Sequence, residues 1–432
     1  MALGRPILRS VADRALAGIS RPILVLGLVS FFTDISSEMI YPLVPLFLSG
    51  SLGAPAAVVG LIEGIAESTA SILKVPSGWL SDRLERRRPL VFLGYGLSAL
   101  GKPLLALAFV WPVALLARFV DRCGKGLRTS PRDALIADLT EGGSRGKAFG
   151  LHRAMDTAGA VVGPLLAFAL LAAFNENFRI VFLLAFPPAA IGVLLIRAVR
   201  EGPQARAGWA STEGPQARAG RVVKERRPSR AAKEIGPARP DVRPSAFGWE
   251  FKAFLVVSLL FALGNSSDAF LLLRASRVGL STTAVVLAYV LYNGVYALLS
   301  MPAGAVSDRL GRRQVILVGY LIFAAVYFGF AVVGSGALVW ALFGVYGMYM
   351  ALTEGVGRAL VSDLAPPERR GTALGVYHTG IGAMALVASL LAGVLWDRVG
   401  SSAPFYMGSA TAGLAAVLLA ALILRDSRSL PV

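Results

Sequence analysis

Gly78-Trp-Leu-Ser-Asp82-Arg83-Leu-Glu85-Arg86-Arg87 and Gly304-Ala-Val-Ser-Asp308-Arg309-Leu-Gly311-Arg312-Arg313 are two copies of one pattern, 226 residues apart (78 to 304). A second pair lies downstream. Ala134-Leu-Ile-Ala-Asp138-Leu139 recurs as Ala359-Leu-Val-Ser-Asp363-Leu364, 225 residues apart (134 to 359). Gly146 and Gly150 recur as Gly371 and Gly375 at the same interval of 225. Separate motifs in register within one residue mark an internal duplication, so the chain is two copies of one architecture.

The flanking sequence says what that architecture is. The 432 residues are 55% hydrophobic and only 16% charged, with a net charge of +17. A soluble domain carries about 25% charged residues. Here the charge sits in short clusters between long apolar runs, which excludes a soluble enzyme, a nucleic-acid binder and a disordered chain. A bilayer core takes about 20 helical residues to cross. Twelve runs qualify: 23–48, 57–80, 89–110, 112–137, 147–172, 178–197, 251–274, 283–303, 314–334, 337–361, 371–395 and 402–424. They are too long and too uniformly apolar for barrel strands. The expected fold is therefore an all-α membrane protein, with twelve transmembrane helices arranged as two parallel six-helix repeats.

Lys and Arg favour cytoplasmic loops. They crowd the tail 1–22, the loops holding Arg86–Arg88 and Arg145–Lys147, the segment 198–250 and the tail 425–432. Intervening loops have few or none, Arg277 being the exception. Both termini are thus expected in the cytoplasm, with bundles at 23–197 and 251–424. The N-terminal arginines resemble a signal n-region, but the following run is too long and holds Asp34 and Glu38, so it reads as a retained first span. Segment 198–250, rich in Pro, Gly, Arg and Ala, reads as a disordered basic linker. Its octapeptide Glu201–Gly208 is duplicated at Glu213–Gly220, as a tolerant spacer allows, although a contact with anionic lipid is the competing reading. One cysteine, Cys123, permits no intrachain disulfide, and two histidines, His152 and His378, exclude a multi-histidine metal site. No G-x-x-x-x-G-K-[ST] loop occurs, and no cofactor is expected.

Charge inside spans is costly, roughly 2.5–3.5 kcal/mol per residue on insertion scales, and marks function. It is concentrated in the first half. Asp34, Glu38 and Tyr41 share one helix face, as do Glu63, Glu67 and Lys74, and Arg118, Asp121, Arg122 and Lys125 form a stripe. At the repeat interval Glu63 and Glu67 correspond to Tyr289 and Asn293, so the duplicated scaffold does not itself demand the acids. A carboxylate balanced between desolvation and a nearby arginine can load and release a proton. Asp34, Glu38 and Glu67 are the candidates, with Arg118 or Arg122 as partner. A permanent ion-pair network fixing helix register is the competing reading. Arg128, Arg132, Asp133 and Asp138 approach a membrane face, where snorkelling suffices. Lys102 reads as structural, and the two histidines as satisfied polar groups.

The paired motifs resemble the loop 2–3 signature of the major facilitator superfamily, G-x-x-x-D-R-x-G-R-[RK]. The second copy fits throughout, and the first carries Glu85 for the second glycine. Gly159-Ala-Val-Val-Gly163-Pro164 is similar to the span 5 signature of exporters in that family, and Arg118–Gly124 keeps part of its span 4 signature. Thr33–Pro42 and Arg118–Asp138 are similar to bacterial exporters of the nickel-resistance and drug-efflux type, but the histidine-rich tail of the nickel exporters is missing. The resemblance implies a central cavity lined by spans 1, 4, 7 and 10. It implies a gate in which Gly78, Asp82, Arg83, Arg86, Arg87 and their counterparts Gly304, Asp308, Arg309, Gly311, Arg312 and Arg313 close one side, an acid meeting a helix N-terminus. Gly159, Gly163 and Pro164 would bend span 5. The expectation is a proton-coupled exporter of a small solute, monomeric, multi-pass in the bacterial inner membrane, neither an enzyme nor a partner of nucleic acid. A divalent metal or metal-chelate cargo and a non-transporting sensor are the alternatives.

Overall fold

The structure, a computed structural model, describes residues 20–84, 87–140, 145–199, 247–365 and 370–428. Most of the expected linker, with its duplicated octapeptide, lies outside the described residues, as do Arg86 and the side chains of Asp82 and Arg83.

The described residues are helical throughout their long elements. We label the first half α1 (Arg21–Ile40, continued irregularly to Ser51), α2 (Ala56–Leu84), α3 (Arg88–Ala106), α4 (Trp111–Asp138), α5 (Arg145–Ala173) and α6 (Phe178–Leu184 with Phe186–Ile196). The second half is α7 (Trp249–Gly264 with Ala269–Arg277), α8 (Thr282–Leu310), α9 (Arg312–Val332), α10 (Gly336–Leu364), α11 (Arg370–Arg398) and α12 (Ala403–Arg428). Eleven of the twelve are long and apolar enough to cross a membrane. The twelfth, α4, has 28 residues, which rise about 42 Å, and misses the apolar criterion because its ionisable stripe lies inside the protein.

Three expected spans are not continuous α-helices. α7 breaks at residues 265–268, and α6 breaks at Ala185, before Phe186-Pro-Pro. α1 passes into a 3-10 turn at Tyr41–Leu43, where Pro42 cannot donate to the ladder, and then into a π turn at Phe47–Ser51. Positions 265–268 fall opposite 39–42 at the repeat interval of 226, so both halves interrupt their first helix at the same level.

Within each half the helices pack in matching pairs. α2 and α3 lie on α4, and α8 and α9 lie on α10. The halves meet through α2 against α11 and α5 against α8. The α2–α11 contact is backbone-close on the face where α2 begins. A Cβ on Gly60 would stand 2.1 Å from the Ser389 carbonyl oxygen, and one on Gly393 would stand 2.5 Å from Ala57 Cα. Asp397 completes this seam. Its Oδ1 accepts from the Ala56 N–H at 3.0 Å and its Oδ2 from the Ala57 N–H at 2.7 Å, filling two donors that a helix start leaves unpaired. The halves are therefore joined at this face, and a cavity separates them towards the face that carries the duplicated loop motifs.

Candidate functional site

The ionisable stripe of α4 divides between two environments. Its first turns form a closed network with α2 and α3. Arg118 donates to both oxygens of Glu63, Nη2 at 2.8 and 2.9 Å and Nε at 3.1 Å. Lys102 Nζ donates to Asp121 Oδ1 at 2.9 Å and to Ser37 Oγ at 3.3 Å. Arg122 lies 3.6 Å from Glu67 and 3.7 Å from Asp121. The Tyr41 ring centroid is 5.8 Å from both guanidinium carbons. Glu63 is 1% exposed and Arg118 4%, and charges this deep persist only when paired. Lys102, expected to be structural, is a full member of this network.

The cavity begins beyond it. It encloses about 2430 Å³ between the halves, with walls from α1, α2, α4 and α5 on one side and α8, α10 and α11 on the other. Of the residues expected at a central cavity, Asp34, Glu38 and Lys125 line it, whereas Tyr41, Glu63, Arg118, Asp121 and Arg122 do not, nor does Glu67, which is part-exposed beside Arg122. Asp34 does not meet an arginine of α4 in a hydrogen bond. Its carboxyl instead neighbours that of Asp156 on α5, and both line the cavity. Asp156 accepts from Ser30 Oγ at 2.6 Å and from Arg153 Nη1 at 3.0 Å. Sequence reasoning passed over Asp156. The available signal was its spacing, since it lies three residues before Gly159 and seven before Gly163 on one α5 face.

Those glycines hold α1 against α5. A Cβ on Gly159 would stand 2.5 Å from the Phe31 carbonyl oxygen, and one on Gly163 would stand 2.6 Å from that of Ile35. The expected bend is a close approach that brings Asp34 and Glu38 to the cavity wall, in a helix that runs unbroken through Pro164.

Glu38 crosses between the halves, its Oε2 accepting from Tyr289 OH at 2.6 Å. The residue that replaces Glu63 at the repeat interval is thus the hydroxyl facing Glu38. In the second half, Asp268 at the α7 break accepts from Tyr292 OH at 2.8 Å and from Tyr346 OH at 2.6 Å. Asn265 donates to Tyr349 OH at 3.0 Å. These tyrosines pack with Phe323 and Phe343 in an aromatic cage. Glu354 accepts from Tyr296 at 2.6 Å and from Arg358. Among the described residues no group of three or more His, Cys, Asp or Glu side chains gathers as metal ligands do.

The duplicated motifs end in similar ion pairs, made from adjacent positions of the Arg-Arg pair. Arg87 Nε is 2.6 Å from Asp138, and Arg312 Nε is 3.0 Å from Asp363. Each joins the loop motif to the downstream motif of its own half. Asp308 is largely exposed and lies 3.5 Å from Arg312, so it does not engage a neighbouring helix start in this conformation.

The profile of the Major Facilitator Superfamily matches residues 26–289 and again 254–432. An uncharacterized MFS-type transporter of Methanocaldococcus jannaschii is 34% identical over 407 residues, 93% of this chain and 94% of that protein. The multidrug resistance protein MdtH of Aeromonas hydrophila is 26% identical over 381 residues, 86% of this chain and 87% of the relative. The crystal structure of a variant of the peptide transporter POT shares the fold, with a TM-score of 0.73 at 16% identity, covering 94% of this chain and 95% of the other. The duplicated loop motif, the two six-helix halves and the cavity between them belong together: the chain is a member of the Major Facilitator Superfamily, a multi-pass membrane transporter.

Proposed function

We propose that the protein exports a small solute in exchange for protons, alternating access across the inner membrane with both termini in the cytoplasm and acting as a monomer. Basic loops place the motif-bearing face in the cytoplasm, so the cavity described here opens inward. The Asp34–Asp156 pair carries the reading. Two neighbouring carboxyls in the cavity wall repel each other when both are charged, so the pair is suited to take up one proton and release it. Arg153, exposed on α5, offers the charge that stabilises the pair once that proton leaves. Glu38 adds the coupling to shape, because its bond to Tyr289 joins one half to the other and must break if α1 and α8 part. The multidrug resistance relative supports export over import.

The test is flux in proteoliposomes holding the full chain. An imposed pH gradient drives uptake of fluorescent reporter solutes in the wild type, and Asp34→Asn and Asp156→Asn abolish that dependence. Movement indifferent to the gradient contradicts exchange with protons, and the absence of flux for every solute favours a sensor on this fold.

A further inference from the structure

The unpaired cations of the cavity identify the charge of the cargo. Lys74 on α2 and Lys125 on α4 both line it. Among the described residues neither ammonium has an ion-pair or hydrogen-bond partner, in contrast to Arg132, Arg153 and Arg358, which pair with Asp133, Asp156 and Glu354. The two lysines are neighbours. A Cβ on Gly126 would stand 2.6 Å from Leu73 Cβ, and Ser130 Oγ donates to the Lys74 carbonyl at 2.7 Å. Two like charges kept together without a direct ion-pair partner cost free energy that an anion would return.

The other half adds a third group. Gly382 on α11 packs against Ser71, and Gly375 packs against Val75. Residues 375, 378, 379 and 382 share one helix face, so His378 is presented to Lys74 across the seam, and it too lines the cavity. The acids near this place are already engaged, Glu67 with Arg122 at 3.6 Å, Glu38 with Tyr289, and Glu354 with Tyr296 and Arg358. We propose that Lys74 and Lys125, with His378 opposite, bind the anionic group of an organic substrate such as a carboxylate. The site spans both halves, so an anion seated there holds α2 and α4 to α11. This inference rests on the transporter reading and specifies the substrate class of the same cavity.

Binding of carboxyfluorescein to the purified full chain tests it, with ethidium as the cationic counterpart of similar size. The wild type binds carboxyfluorescein, and Lys74→Gln and Lys125→Gln each weaken that binding by about tenfold, the loss of one charge-assisted contact. Lys74→Arg and Lys125→Arg keep it, which separates charge from fold. Binding of ethidium alone, binding of neither dye, or unchanged affinity in both glutamine variants overturns the assignment. The two proposals fail separately. Gradient-driven movement of ethidium would leave the exporter standing without the anion site. Lysine-dependent binding of carboxyfluorescein without gradient-driven flux would leave the anion site standing without proton exchange.

Discussion

Glu63 and Arg118 sit 55 residues apart in sequence and make a two-pronged contact in the interior, while Asp34 and Asp156, 122 apart, neighbour each other at the cavity wall. The two pairs should answer mutation differently. Glu63→Gln leaves the Arg118 charge with only Asp121 at 3.9 Å, and breaking a buried pair costs about 3–5 kcal/mol. We expect a clear loss of thermal stability in detergent, partly recovered when Arg118→Gln is added, because the double variant leaves no stranded charge. Asp34→Asn should keep the unfolding temperature of the wild type while removing the pH dependence of flux, since an amide can hydrogen-bond to Asp156 but cannot titrate. Sequence spacing identified most of these residues, because ionisable groups in an apolar span stand out. It did not identify their partners. Helical periodicity gives the face of each residue on its own helix, and the partner depends on which helix that face meets. Tyr289 shows the limit well, as a tyrosine in a span carries no signal until Glu38 is found opposite it.

At the scale of the helix, legibility followed the apolar run. Most ends of spans were readable to within a few residues, although α8 runs seven residues past its expected end at 303, and the breaks in α1, α6 and α7 were not readable, because an apolar run looks the same whether its backbone is continuous or interrupted. Asn265-Ser-Ser-Asp268 was the available clue for α7, four polar residues that compete for backbone hydrogen bonds. The duplicated octapeptide falls outside the described residues and gained nothing from the fold. The α1–α5 contact offers a test at this scale. Gly163→Val places branched carbons against the Ile35 carbonyl and the Glu38 side chain, where a Cβ alone would already stand 2.9 Å from Glu38 Cβ. α1 must then move, displacing Glu38 from Tyr289. The expected result is loss of flux together with a lower unfolding temperature, whereas the same change at Gly344, which has open space around it, should be tolerated.

For the whole molecule, two seams set the conformational equilibrium. One is closed here, by Asp397 on the α2 start and by the glycine contacts around Gly60 and Gly393. The other is apart here, with the cavity in its place and Asp308 exposed. Alternating access requires the first to release as the second closes. Asp397→Asn weakens the charged cap and should raise the population open on that face, read as faster modification of a cysteine placed at Ala57 by a membrane-impermeant thiol reagent, in a background with Cys123 replaced. An unchanged rate would show that Asp397 does not hold the seam. The repeat architecture was fully legible, because duplicated motifs carry their own register. The conformational state was not, because both states satisfy the same sequence.

Protonation of the Asp34–Asp156 pair should bias this equilibrium, a dependence measurable without knowing the cargo. Spin labels at Phe149 on α5 and Met301 on α8, both lining the cavity, report its width through their distance distribution by pulsed electron paramagnetic resonance. In lipid nanodiscs the wild type should show two distances whose proportions shift between acid and alkaline pH, and Asp34→Asn with Asp156→Asn should hold those proportions fixed. A wild-type distribution that ignores pH, or a double variant that responds as the wild type does, would contradict the account.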